Sequence, residues 1–204
     1  MAEKDFYYTV NKHARSEIKI KGSKFIASVK NVSTKDDAEE FIRQISAEFH
    51  DATHNCFAYR IGESGLEFRY SDDGEPSGSA GKPILFSLNK YSVSDAAVVV
   101  TRYYGGTKLG VGGLARAYSD AANEALEQAG KKKLHITKPV QVLCTYEDIS
   151  AVKKLIDEYA FTFEENYGAA VEFIAKIPAS KVEEFRDKVT QTTAARAGTK
   201  LMRK

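Results

Sequence analysis

The stretch TRYYGGTKLGVGGLARAYSDAA, residues 101–122, combines residue types that bind anions and stack on bases. A β-branched run leads into it, five glycines fall within nine residues, and an alanine-rich segment with helical spacing follows. This order leaves free backbone N–H groups at the start of the helix, which we expect near Leu114, and the helix dipole favours an anion there. The candidate anion- and nucleic-acid-binding residues are Arg102, Tyr103, Tyr104, Gly105, Gly106, Lys108, Gly110, Gly112, Gly113 and Arg116.

The glycine spacing matches neither GxxxxGK[ST] nor GxGxxG, so neither a P-loop nor a dinucleotide site is indicated. Two interpretations stay open: the loop holds a phosphate, or its glycines only permit tight turns and close helix packing. In the first, Arg102, Lys108 and Arg116 contact phosphates of RNA. Tyr103 and Tyr104 then stack on an unpaired base, whereas in the second interpretation they pack.

A second polar loop is SDDGEPSGSAGKP, residues 71–83. Clustered carboxylates are ligands that Mg²⁺ prefers, so Asp72, Asp73 and Glu75 are the candidates for a metal-assisted hydrolase. The alternative is a solvated turn in which Asp and Ser bond their own backbone. The candidate residues of this loop are Asp72, Asp73, Glu75, Ser77, Ser79 and Lys82.

A third stretch, HNCFAYR, places His54, Cys56, Ala58 and Arg60 on one face of a strand. His54 and Cys56 are two zinc-ligand types, but no second pair at metal spacing exists, so we expect no metal there. A Cys–His nucleophile pair needs an orienting group and an oxyanion hole, and the sequence identifies neither. The candidate pocket residues on this strand are therefore His54, Cys56 and Arg60, and no cofactor is predicted.

Composition excludes several classes of protein. The 204 residues are 43% hydrophobic and 28% charged, which is typical of a globular protein. A formal net charge of +2 means that any basic footprint is local. The start of the chain has no apolar core of signal-peptide length, and no apolar run is long enough to span a bilayer. We expect a cytoplasmic protein with reduced cysteines, whose oligomeric state the sequence leaves open.

A domain boundary is expected in QAGKKKLHITKP, where Gly130 ends a helix and Pro139 excludes helix just before itself. After it, the order strand–helix–strand–strand–helix, with TKLMRK as a short last strand, indicates a split βαβ unit. Before it, we expect two strands or one bent strand, a helix capped by Ser33 or Thr34, a hairpin, a helix with Pro83 at its first position, a strand and the glycine loop. The predicted domains are residues 1–138 and 139–204.

Several of these segments resemble the YigZ/IMPACT family. SDDGEPSGSAGKPIL followed by VVVTRYYGGTKLGVGGLARAY is similar to the family signature, and GSKFIA and HNCFAYR also fit it. The resemblance covers the whole chain and matches the bacterial layout, in which an N-terminal IMPACT domain precedes a small C-terminal domain. On this resemblance, we do not expect the RWD domain of the eukaryotic proteins in this layout.

The resemblance implies a two-domain α+β fold. The N-terminal domain is expected to be an α/β sandwich like the second domain of ribosomal protein S-five and domain IV of elongation factor G. The C-terminal domain is expected to be ferredoxin-like, similar to domain V of that factor. Eukaryotic members regulate translation by binding a partner of a translation-factor kinase, so the resemblance also implies a link to translation.

Three functions are therefore carried forward. The leading one is a non-enzymatic cytosolic binding protein for RNA, the ribosome or a ribosome-associated partner. The second is a metal-assisted hydrolase that uses Asp72, Asp73 and Glu75. The third is a pure protein–protein adaptor, with the sheet of the C-terminal domain as its docking face.

Overall fold

The computed structural model describes residues 5–202. They divide into two compact units, residues 7–134 and residues 135–202 together with 5–6. Each unit has its own hydrophobic core, which confirms the predicted two-domain α+β class. The chain passes from the first unit to the second between Leu134 and His135, four residues before the predicted boundary.

The first unit is built on a five-stranded antiparallel sheet with the order β2-β3-β6-β4-β5. The first and last strands of the unit in chain order, β1 and β7, form a separate two-stranded sheet. The strands are β1 Phe6–Val10, β2 Ala14–Ile20, β3 Ser23–Asn31, β4 His54–Ile61, β5 Glu67–Ser71, β6 Ala96–Tyr103 and β7 Lys131–His135.

Helices cover both faces of this sheet. Helix α1, Lys35–Glu48, begins at a capping box in which Thr34 and Asp37 satisfy each other's backbone N–H groups. Its apolar side packs on one face of the sheet. Helices α2, Gly81–Lys90, and α3, Gly110–Ala129, pack on the other face. The central strand β6 is therefore buried on both sides, which explains its run of valines and alanines.

The second unit has the strand order β11-β8-β10-β9, and every neighbouring pair is antiparallel. This is the topology of the split βαβ plan, so the ferredoxin-like prediction is confirmed. The last strand is Gly198–Leu201, which contains the first three residues of the predicted TKLMRK, while residues 203–204 lie outside the described residues. The elements are β8 Thr137–Cys144, α4 Ile149–Tyr159, β9 Thr162–Tyr167, β10 Val171–Pro178, α5 Val182–Thr192 and β11 Gly198–Leu201.

Three local predictions differ from the structure. Helix α3 begins at Gly110 and not near Leu114, because packing of Leu109 against the core overrides the low helix propensity of glycine. Helix α2 begins at Gly81, two residues before Pro83. Strands β1 and β7 lie in segments that the sequence pattern left unassigned. Within residues 5–202, no helix combines the length and apolarity needed to cross a membrane.

Candidate functional site

The site is centred on Arg102, near the end of β6. Phe25 and His54 lie directly opposite it on the neighbouring strands, so the three side chains share the sheet face that α2 and α3 cover. Arg102 is 5% exposed, and its Nη1 donates to Glu75 Oε1 at 2.6 Å. Its guanidinium lies 5.5 Å from the Phe25 ring and 5.4 Å from the Tyr104 ring. The strand thus presents a cation within cation–π distance of two aromatic rings.

Glu75 connects Arg102 to a buried chain of hydrogen bonds. The Tyr118 hydroxyl, on α3, donates to the same Oε1 at 2.8 Å, and the Cys56 thiol lies 3.4 Å from the Tyr118 oxygen. Burial raises the pKa of Cys56, and burial likewise raises the pKa of Tyr118. Both groups therefore stay protonated at neutral pH, and the thiolate that a Cys–His nucleophile pair requires is disfavoured here.

His54 is fixed by the loop after β5. Its Nδ1 lies 2.6 Å from the Asp73 carbonyl oxygen, which assigns the ring proton to Nδ1, and its Nε2 lies 4.0 Å from Glu75 Oε2. The Asp73 carboxylate accepts from the backbone N–H of Asn55 at 2.6 Å. The polar loop of residues 71–83 is thereby attached to the start of β4.

The Asp72 carboxylate holds the same loop by accepting hydrogen bonds from its backbone. Its carboxylate accepts from the backbone N–H groups of Gly78, Ala80 and Gly81 at 2.8, 2.9 and 2.8 Å, so it caps the start of α2. Burial by itself raises the pKa of Asp72, but the three backbone hydrogen bonds together outweigh it and hold the pKa below its usual value. This carboxylate therefore serves the fold of the loop.

Replacing Asp72 by alanine is expected to lower the free energy of unfolding by about 1–2 kcal/mol at neutral pH, because three N–H groups lose their acceptor. The pKa of Asp72 is depressed in the folded state, so its contribution is complete above the unfolded value of 3.8 and is lost as the pH falls through the folded pKa. Urea unfolding at neutral pH and at about pH 3 tests this. A difference from wild type that stays constant with pH would contradict the assignment.

A cavity of about 440 Å³ opens between this loop and the start of α3. The first turn of α3 has no side-chain cap and no acidic residue, so its N–H groups keep no side-chain acceptor there. The Arg102 Nε–H is buried and has no hydrogen-bond acceptor within residues 5–202. The lining residues are Glu75, Pro76, Arg102, Tyr104, Lys108, Leu109, Gly110, Val111 and Leu114.

The glycines of the loop have different structural roles. A Cβ on Gly105 would lie 1.9 Å from the carbonyl carbon of Gly22, so Gly105 permits close packing on the β2–β3 turn. Gly106 and Gly110 have φ of +86° and +71°, the left-handed region that favours glycine. Gly112 and Gly113 lie inside the first turn of α3. The packing and turning interpretation holds for Gly105, Gly106 and Gly110, while the helix start stays open to a ligand.

Four of the other candidates lie in three different places. Tyr104 is 46% exposed and lines the cavity, whereas the Tyr103 hydroxyl donates to Asp51 Oδ1 at 2.7 Å and its ring lies under Lys24. Arg116 lies in the second turn of α3 and lines a neighbouring groove together with Lys82.

Other candidates lie away from the cavity. Arg60 is at the far end of β4, where its Nη1 donates to the Val93 carbonyl at 2.9 Å. Ser79 is buried and donates to the Pro76 carbonyl at 2.6 Å, while Ser77 is exposed. Across residues 5–202, no group of three or more His, Cys, Asp or Glu side chains is arranged to hold a metal ion.

Sequence reasoning missed several residues of the site, among them Tyr118, Ser23, Leu109 and Val111. Tyr118 carries the helical spacing of a core residue, and only its hydroxyl distinguishes it from a packing aromatic. Ser23, within GSKFIA, places its Oγ 3.1 Å from the Gly105 N–H and 3.4 Å from Arg102 Nη2. Leu109 and Val111 alternate with glycines and line the cavity. No signal of charge or spacing in the sequence distinguishes Ser23, Leu109 and Val111.

The chain is similar to several proteins of known sequence or structure. Residues 21–126 match the family described as Impact N-terminal domain, and residues 142–196 match Domain of unknown function (DUF1949). The chain is 37% identical to IMPACT family member YvyE of Bacillus subtilis, over 95% of this chain and 90% of that protein. It is 35% identical to IMPACT family member YigZ of Escherichia coli, over 83% of this chain and 85% of that protein. A solved structure described as an hypothetical protein aligns with a TM-score of 0.71 at 29% identity, covering 99% of this chain and all of that one.

Proposed function

Since the chain belongs to the IMPACT family, as its motifs predict, we propose that it is a non-enzymatic, cytoplasmic binding protein linked to translation. Its ligand is single-stranded RNA, free or within a ribosomal assembly, and one backbone phosphate occupies the cavity at the start of α3. The observation that carries this proposal is the buried Arg102 Nε–H without an acceptor beside an uncapped helix start.

The orphaned Nε–H argues for a ligand that supplies an acceptor. A buried donor without a partner destabilises a protein by about 1–3 kcal/mol, so such groups are rare outside functional sites. Arg102 lines the cavity, and the other nitrogens of its guanidinium already donate to Glu75 and Ser23. An oxygen of a bound group would complete the hydrogen bonding of the guanidinium.

The charges around the cavity favour a singly charged anion. Arg102 and Glu75 neutralise each other at 2.6 Å, which leaves Lys108 and the positive end of the α3 dipole as the net charge. No acidic side chain stands in the first turn of α3. A phosphodiester carries one negative charge, so it matches this net charge better than a doubly charged terminal phosphate.

Tyr104 favours a nucleotide over a free anion. Tyr104 is 46% exposed and lines the cavity, and the Arg102 guanidinium lies 5.4 Å from its ring. Aromatic rings beside a phosphate site stack on unpaired bases, a recognition mode that tolerates any base. A cavity of about 440 Å³ lies within the size range of ligand pockets.

The hydrolase alternative finds less support in the same geometry. Asp72 caps α2, Asp73 accepts from the Asn55 backbone, and Glu75 accepts from Arg102 and Tyr118. Each carboxylate thus has protein donors in place of open coordination positions.

Replacing Val111 by glutamate is expected to abolish RNA binding while the fold stays at least as stable. Val111 is 59% exposed in the first turn of α3 and lines the cavity, so the new carboxylate repels a phosphate and interacts favourably with the helix dipole. Binding is measured by fluorescence anisotropy with labelled oligouridylate, and stability by thermal unfolding.

The matched control is Val111→Gln, which has nearly the same shape without the charge and is expected to bind far better than Val111→Glu. Lys108→Ala, measured across a salt series, is expected to reduce the slope of log K against log salt by about 0.7, the value for one phosphate contact on a single strand. Equal binding by Val111→Glu and Val111→Gln would overturn the proposed site.

A further inference from the structure

A groove of about 470 Å³ lies between α2 and α3, beside the cavity. We propose that this groove is a second contact site for the same RNA strand, with Lys82 and Arg116 bound to its phosphates and Phe86 stacked on a base. The inference rests on the proposed function and extends it to an RNA several nucleotides long. The lining residues are Gly78, Lys82, Pro83, Phe86, Ala115, Arg116 and Ser119.

The two cations of the groove have no role in holding the fold. Lys82 and Arg116 are exposed, and neither has an ion pair or a side-chain hydrogen bond with any residue between 5 and 202. Lys82 stands in the first turn of α2, where the helix dipole disfavours positive charge, and Arg116 stands in the second turn of α3. A bound anion would offset that unfavourable interaction at Lys82 and would supply Arg116 with a counterion.

Phe86 provides an aromatic surface on which a base can stack. Phe86 is 64% exposed on α2 and lines the same groove as the two cations. A positively charged groove with an aromatic ring is the combination by which proteins hold single strands without reading sequence. The cavity presents the same combination in Lys108 and Tyr104. The surface therefore carries two neighbouring sites that each combine a cation with an aromatic ring.

The cavity and the groove are adjacent on the surface of the first unit. Pro76 lines the cavity and Gly78, two residues later, lines the groove; likewise Leu114 lines the cavity and Ala115 the groove. A strand that leaves the cavity therefore reaches the groove by passing the tip of the residue 71–83 loop. The match is to an extended single strand, because a duplex would bury the base faces that both rings require.

The test compares a uridine dinucleotide with an oligouridylate of about nine nucleotides on wild type and on Lys82→Ala plus Arg116→Ala. Wild type is expected to bind the longer strand more tightly, and the double variant is expected to lose that gain. Its salt slope on the longer strand should fall by about 1.4, twice the value for one phosphate. Phe86→Ala is expected to weaken the longer strand by about fivefold or more, the loss of one stacked base.

Lys12→Ala plus Lys90→Ala is the matched control, since it removes the same charge from exposed positions of the first unit outside both sites. If wild type gains affinity with length and the groove variant gains as much, the groove is overturned while the cavity stands. If the control variant loses as much as the groove variant, binding is non-specific and the groove is likewise overturned. If wild type binds neither RNA at low salt, the proposed function itself fails.

Discussion

Replacing Gly105 by alanine is expected to lower the free energy of unfolding by at least about 3 kcal/mol, a large part of the stability of an ordinary domain. The added Cβ would lie 1.9 Å from the carbonyl carbon of Gly22, 2.1 Å from its oxygen and 2.2 Å from the Ser23 nitrogen. All three are backbone atoms of the β2–β3 turn, so no side-chain rotation relieves the overlap. Because the chain has no tryptophan, far-UV circular dichroism during urea unfolding is the suitable measurement.

Gly106→Ala is the matched control for this prediction. Gly106 has φ of +86°, but a Cβ there meets nothing within 4 Å, so only backbone strain of about 1–2 kcal/mol is expected. The steric argument requires Gly105→Ala to be clearly the more destabilised of the two. Equal midpoints would mean that the loop moves freely relative to the β2–β3 turn.

Replacing Glu75 by alanine is expected to destabilise the protein by about 3–5 kcal/mol, the usual result of removing one partner from a buried ion pair. The side chains of Arg102 and Glu75 are 6% and 3% exposed, so the remaining guanidinium would stay buried without its counterion. The Tyr118 hydroxyl would lose its acceptor as well. Urea unfolding of the variant measures the loss.

Two further variants distinguish the stability that the Arg102–Glu75 ion pair provides from the stability that packing of the two side chains provides. Glu75→Gln keeps an acceptor for both donors and is expected to lose less than Glu75→Ala. In the double variant Glu75→Ala plus Arg102→Ala, no charge is stranded, so its loss is expected to be much smaller than the sum of the two single losses. Additive losses would show that the pair makes no mutual contribution.

The sequence predicts the framework better than the site. Alternating strands, the Thr34 cap and the apolar stripe of α1 are local patterns, and the structure has each of them. The second unit follows its predicted order because strand β10 and both helices are amphipathic and short connections leave few topologies. Strands β1 and β7 escape prediction because FYYTV and KKKLH lack the apolar alternation of a half-buried strand.

The site depends on long-range pairing, which periodicity does not reveal. Glu75 is 27 residues from Arg102 and 43 residues from Tyr118 along the chain. The three meet because the loop after β5, strand β6 and helix α3 come together in the folded first unit. The sequence motif does not distinguish the glycines, yet their environments differ. A Cβ on Gly105 would overlap the β2–β3 turn, whereas a Cβ on Gly106 would have no atom within 4 Å. Such differences arise from tertiary packing and have no local signal.

The pairing of β1 with β7 has a consequence for biosynthesis. These strands come first and last among the strands of the first unit, so its small sheet joins segments about as far apart in the sequence as the unit allows. Contacts of such long sequence separation slow folding, because a large loop must close before they form. On a translating ribosome, β1 therefore leaves the exit tunnel long before its partner exists, and it stays unpaired until β7 has followed.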